Sequence, residues 1–139
     1  MKTVFIDSSV LIAACKSRVG ASASILIYCR KQIIHGCISQ YVISEVKRNI
    51  SRESDQKIKQ RLNMYLQQFH LLVYKEPTLE EISMASIVIN LKDAPILAAA
   101  LKSNATTLIT LNTKDFMKPA VRKFVNPLKI VTPRNFIHK

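Results

Sequence analysis

Lys2-Thr3-Val4-Phe5-Ile6-Asp7-Ser8-Ser9-Val10-Leu11-Ile12 begins with β-branched and apolar residues, halts at an acid, and resumes with helical spacing. A run apolar on both faces is the signature of a strand buried inside a parallel sheet. From Ser8 the pattern becomes helical as far as Lys16, with Asp7 or Ser8 placed to cap it. The stretch therefore predicts a strand, an acid at its carboxyl end, and a helix. Outward from it the same alternation recurs. After a break at 19–22, a helix is expected over 22–32 and a short strand over 33–39, around Gly36-Cys37-Ile38. Val42, Ile43, Val46 and Ile50 then form a helical stripe. Ile58, Leu62, Tyr65, Leu66 and Phe69 mark the clearest amphipathic helix, with a Lys-, Arg- and Gln-rich outer face. Strands are expected at 71–74, 107–110 and 129–131, and helix starts at Thr78-Leu79-Glu80-Glu81 and Asp93-Ala94-Pro95. Strands separated by helices specify an α/β fold, a three-layer α/β/α sandwich around a central parallel sheet.

The 139 residues suit one compact domain, and no linker, repeat or composition shift divides them. Nearly half are apolar and only two are Gly, which excludes a disordered chain. Three cysteines without CxxC spacing fit reduced thiols and a cytoplasmic location, not a disulfide framework or zinc site. No apolar run approaches the roughly 20 residues a membrane-spanning helix needs, so no membrane partner is expected. The net charge is +12, which favours a polyanion such as nucleic acid. Two glycines and no GxxxxGK[ST] loop exclude a nucleotide-cradling P-loop.

Of nine acids, four stand against apolar elements: Asp7, Glu45 in Tyr41-Val42-Ile43-Ser44-Glu45-Val46, Asp93, and Asp115 before Phe116. Each has an ordinary explanation. Asp7 and Asp93 are placed to cap helices. Glu45 could pair with Lys47 or Arg48, and Asp115 could close a turn from Asn112. In an open α/β sheet, however, ligands bind beyond the carboxyl ends of the strands. Four acids so placed would converge on one cleft, and carboxylates sharing a cleft demand a cation. At roughly 4 Å and an effective dielectric near 20, each pair repels by about 4 kcal/mol. The histidines, His35, His70 and His138, lie near none of these acids, which disfavours a paired-histidine ribonuclease.

Four segments together resemble the PIN-domain (PilT N-terminal) nucleases, and within them the toxin ribonucleases of VapBC pairs. They are Val4 to Ile12, Ile43-Ser44-Glu45-Val46, Lys92 to Ala100, and Leu108 to Phe116. The ending Val131-Thr132-Pro133-Arg134-Asn135-Phe136 resembles the family's closing strand and tail. The resemblance implies Asp7, Glu45 and Asp93 as the core catalytic and metal-binding acids, with Asp115 as fourth. It implies Mg²⁺ or Mn²⁺ as cofactor and cleavage of single-stranded RNA by a metal-activated water, leaving 5′-phosphate and 3′-hydroxyl ends. Ser9 would orient Asp7, and Thr110 and Asn112 would line the rim, although many relatives carry Asp where Asn112 stands. Lys47, Arg48 and Lys114 would hold substrate phosphates. RNA, a cognate antitoxin and a second copy of the chain are the implied partners, with exposed apolar positions on the first helices serving a homodimer. The alternative is a PIN-like module that grips RNA or protein without cutting it.

Overall fold

The computed structural model describes residues 1–138 as five strands and nine helices. They are β1 (Lys2–Ile6), α1 (Ser8–Lys16), α2 (Ala21–Arg30), β2 (Ile34–Ser39), α3 (Gln40–Ile50), α4 (Gln56–Gln68), β3 (Leu72–Tyr74), α5 (Leu79–Ala85), α6 (Ala94–Lys102), β4 (Thr107–Ile109), α7 (Thr113–Phe116), α8 (Pro119–Val125), β5 (Lys129–Val131) and α9 (Pro133–Ile137). The strands form one all-parallel sheet in the order β3-β2-β1-β4-β5, flanked by helices in the expected α/β/α sandwich. Among the described residues, no single helix is long and apolar enough to cross a membrane.

β1 lies at the centre because Val4, Phe5 and Ile6 are fully buried, as a strand covered on both faces requires. Gly36 of β2 sits opposite Val4, where an added Cβ would fall 2.5 Å from Cys29 Sγ. Only glycine fits at that approach. The three cysteines are free and buried, and burial pushes the Cys29 thiol up to about 12. The short helices α7, α8 and α9 were not foreseen, since seven residues or fewer give periodicity too little room.

The feature that positions the site is the reversal of strand order between β1 and β4. Ile6 of β1 is in register with Ile109 of β4, and the Asp7 amide donates to the Ile109 carbonyl at 3.0 Å. The chains leaving these two strands diverge to α1 and α7, and a crevice opens between them. Asp7 and Thr110 are the first residues beyond the two strand ends.

Candidate active site

Asp7 occupies the N-cap position of α1 with extended backbone, yet its side chain makes no capping bond. Its Oδ2 accepts hydrogen bonds from the hydroxyls of Ser9 at 2.6 Å and Thr110 at 2.8 Å. Ser9 in turn accepts from the Leu111 amide at 3.0 Å, and Thr110 from the Asn112 amide at 3.0 Å. The Asp7 carboxylate is thus pinned to the loop after β4. Its Oδ1 has only a long contact of 3.5 Å with the Ser8 hydroxyl, which is committed to Glu45 Oε1.

Asp93 repeats the pattern on α6. It stands at the N-cap position in helical backbone, without a side-chain cap bond. Asn90 Oδ1 accepts from the Asp93 amide at 3.0 Å, while Asn90 Nδ2 donates to Asp93 Oδ2 at 2.8 Å. Asn112 Nδ2 reaches the same Oδ2 at 3.3 Å. Glu45 lies in the second turn of α3, because Ser39 caps the helix and starts it at Gln40. The backbone amide of Asp115 donates to Asn112 Oδ1. The turn closed there belongs to the asparagine, which caps α7.

Asp7, Glu45 and Asp93 line one cavity of about 260 Å³ together with Ser8, Ser9 and Asn112, rimmed by Arg48, Arg52 and Lys92. In each of the three acids one oxygen is held by hydrogen bonds. Asp93 Oδ1 and Glu45 Oε2 accept none among the described residues, and neither is a buried polar atom left unsatisfied. They face the open cavity. Ion pairs among the described residues are Lys16–Glu53 and Lys102–Glu81, so no Lys or Arg neutralises the cavity acids within 4.0 Å. Burial pushes the Asp7 carboxyl above its ordinary 3.8. The Ser9 and Thr110 hydroxyls pull it back, and Asp93 and Glu45 push it up again. Asp93 is likewise raised, chiefly by burial, then by Asp115 and Glu45, against the lowering effect of Asn90 and Lys92.

The residues fit a hard divalent ion by donor chemistry: carboxylate oxygens, oriented by neighbours, with lone pairs free toward a cavity. As placed, no three His, Cys, Asp or Glu side chains among the described residues close on a single point. The Ser8 hydroxyl stands between Asp7 and Glu45, and an ion that keeps several waters spans such gaps.

A PIN domain family model matches residues 3–114. The chain belongs to the PIN-domain family. PIN domains are generally nucleases and in general use divalent metal ions. The fold is similar to that of VapBC2 from Rickettsia felis, solved bound to a DNA fragment from their promoter. That likeness has a TM-score of 0.70 at 17% identity, over 94% of this chain and 98% of that one. It is also similar to PAE2754 from Pyrobaculum aerophilum, with a TM-score of 0.63 at 15% identity, over 99% of this chain and 94% of that one. No curated protein matches the sequence.

Within this PIN domain the structure gathers Asp7, Glu45, Asp93, Ser9, Asn112 and Arg48 around the cavity, with Thr110 directly behind Asp7. Asp115 acts on Asp93 through its charge but does not line the cavity, and it falls one residue past the family match. Lys47 faces a separate cavity with Lys59, and Lys114 is not at the acid cavity. Sequence reasoning missed Ser8, Asn90, Arg52 and Lys92. For Arg52 a signal existed, since Glu45, Arg48, Asn49 and Arg52 recur at three- and four-residue spacing along one face. For Asn90 the signal was its place three residues before Asp93. Ser8 and Lys92 gave none.

The exposed large apolar side chains are not on the first two helices. Val19 lies between them and Ile33 after them, whereas Leu79, Met84, Ile87 and Leu91 cluster on and after α5. The outward positions of α1 and α2 are instead covered by α3, α4 and α9.

Proposed function

We propose that this PIN domain is a Mg²⁺- or Mn²⁺-dependent endoribonuclease acting on single-stranded RNA. The observation that carries the reading is a set of three carboxylates sharing one cavity, none paired with a cation, with Asp93 Oδ1 and Glu45 Oε2 accepting no hydrogen bond among the described residues and Asp7 Oδ1 only the long Ser8 contact. Asp7, Glu45 and Asp93 hold the metal, with Asp115 adding negative charge behind Asp93. Bound there, the metal supplies a Lewis acid and eases deprotonation of water at neutral pH.

The remaining residues orient and hold. Ser9 and Thr110 fix one oxygen of Asp7, so the other is presented in one direction. Asn90 and Asn112 do the same for Asp93, and Ser8 for Glu45. Arg48, Arg52 and Lys92 at the rim attract the phosphodiester and hold its anionic oxygens toward the acids. Arg48 lines the acid cavity and supports this role, whereas Lys47 and Lys114 do not line it. Partners of the kind named for VapBC2, an antitoxin above all, would make the protein the toxin of a pair. A second copy of the chain is the other proposed partner.

The test is cleavage of mixed single-stranded RNAs with Mn²⁺, with EDTA, and with the Asp7→Asn variant. Cleavage should require Mn²⁺ and vanish in the variant. Cleavage by Asp7→Asn at the wild-type rate would remove the assignment. One observation favours a second reading, a module that binds RNA without cutting. Asn112 turns its carbonyl oxygen to the Asp115 amide and its amide to Asp93, and as a neutral side chain it is a weaker ligand for a second metal than a carboxylate would be. RNA binding without Mn²⁺-dependent products would establish that reading instead.

A further inference from the structure

A second basic site lies at the far end of α1, away from the acids. Arg18, Lys57, Gln60 and Arg61 line a cavity of about 390 Å³ there. The start of α1 lines the acid cavity through Ser8 and Ser9. Its nine residues separate the two cavities by about 12 to 14 Å, or about four stacked nucleotides at roughly 3.4 Å each.

Part of this second cluster has a structural reason. The Arg61 guanidinium donates to the Cys15 carbonyl and the Tyr65 hydroxyl to the Ala14 carbonyl at 2.9 Å, closing the C-terminal end of α1. A cation is favourable at a helix C-terminus. That explains Arg61 and leaves Arg18 and Lys57 unexplained. Among the described residues, neither side chain forms a hydrogen bond or an ion pair. Helix α4, which supplies Lys57, Gln60 and Arg61, contains no acid at all. Three like charges gathered on one concavity without a counterion repel one another, so an anion bound among them is stabilised. At the end of α1, Lys16 is paired with Glu53 at 3.6 Å.

We propose that Arg18, Lys57 and Arg61 form a second phosphate-holding site, which grips the backbone of single-stranded RNA some four nucleotides from the acid cavity. The inference rests on the nuclease reading for its substrate, and binding measured apart from cleavage separates the two. The site adds affinity and processive hold for long strands and leaves the chemistry at the acids untouched. Charge readout of this kind is indifferent to base sequence.

The experiment compares fluorescein-labelled oligouridines of about 4 and about 16 nucleotides. The protein is an Asp7→Asn background with and without Arg18→Gln and Lys57→Gln, both exposed positions whose side chains form no hydrogen bond or ion pair among the described residues. Removing two phosphate contacts should lower the slope of log affinity against log salt by about 1.4 for the long strand. Near 0.1 M salt it should weaken binding roughly 10- to 30-fold. Binding of the short strand should not change. In the otherwise wild-type protein, Mn²⁺-dependent cleavage of the short strand should also be unchanged. The charge-preserving pair Arg18→Lys and Lys57→Arg should restore long-strand binding, which separates lost charge from lost folding. An unchanged salt slope, or equal losses for both lengths, would overturn the second site. A protein that shows the slope change yet never cleaves RNA would retain the second site and lose the nuclease.

Discussion

Helix starts α4 and α5 are built differently from helix starts α1 and α6, though all four carry acids. At α4, Asp55 accepts from the Lys57 amide at 2.9 Å. At α5, Thr78 and Glu81 form a reciprocal capping box, and Glu81 also meets Lys102 at 2.9 Å. Asp55 and Glu81 each satisfy a backbone donor, and Glu81 a cation as well. At α1 and α6, Asp7 and Asp93 hold the same N-cap position and cap nothing. Their side chains turn into a shared cavity, 3% and 7% exposed, with the pKa raised rather than lowered. An acid that could stabilise its helix and instead destabilises the empty fold is retained for something outside local structure. The contrast separates acids spent on local structure from acids that are not, without reference to any relative.

The largest effect expected from that contrast is catalytic. Asp7→Asn, Asp93→Asn and Glu45→Gln should each reduce Mn²⁺-dependent RNA cleavage by about 100-fold or more, the scale of lost electrostatic stabilisation. Asp55→Asn should leave cleavage unchanged. A comparable loss from Asp55→Asn would erase the distinction.

Stability should move the opposite way. Thr78→Ala removes a cap and should cost about 1 kcal/mol, lowering the melting temperature by several degrees. Asp7→Asn removes a buried charge that no cation offsets and should raise the melting temperature of the metal-free protein by roughly 2 to 8 °C. Differential scanning fluorimetry in EDTA reads both.

The pH dependence follows with opposite signs. Asp7 and Asp93 have raised pKa values when folded, so the folded state binds more protons than the unfolded one above pH 3.8. Their contribution therefore favours folding in acid and declines as pH rises through the raised values. Glu81 has a lowered pKa, chiefly from Lys102 and then from the Thr78 amide. Its contribution is present above its ordinary 4.5 and is lost as pH falls below it. In EDTA, Asp7→Asn should flatten the decline on the neutral side, and Glu81→Gln should flatten the loss on the acid side. A pH–stability curve unaltered by Asp7→Asn would contradict the burial of that charge.

The smallest effect concerns Asn112. Asn112→Asp adds a carboxylate beside Asp93 and should tighten Mn²⁺ binding about tenfold, the scale of changes around a metal's ligands. It should also lower stability in EDTA. Calorimetric titration of Mn²⁺ checks the affinity.

Much of this was legible in the chain. Lys2–Ile6 reads as a buried strand because Val4, Phe5 and Ile6 are apolar on both faces, and Lys129–Val131 has the same bounds in sequence and structure. Asp7, Glu45 and Asp93 were visible as acids in apolar company. What could not be read was which way their side chains turn. An N-cap aspartate has one sequence signature whether it bonds its own helix or a threonine 103 residues away. The short helices from Thr113 onward were hidden for lack of length. The rim base Lys92 was hidden because it stands in the turn before α6 and reaches the cavity through tertiary packing alone.

The most direct test of the acid cluster is the melting temperature as a function of Mg²⁺ for wild type and Asp7→Asn. Wild type should start lower and climb saturably with Mg²⁺, as binding to the folded state alone requires. Asp7→Asn should start higher and stay flat. A wild-type melting temperature indifferent to Mg²⁺, or a variant that climbs as steeply, would contradict a cluster held together by a metal.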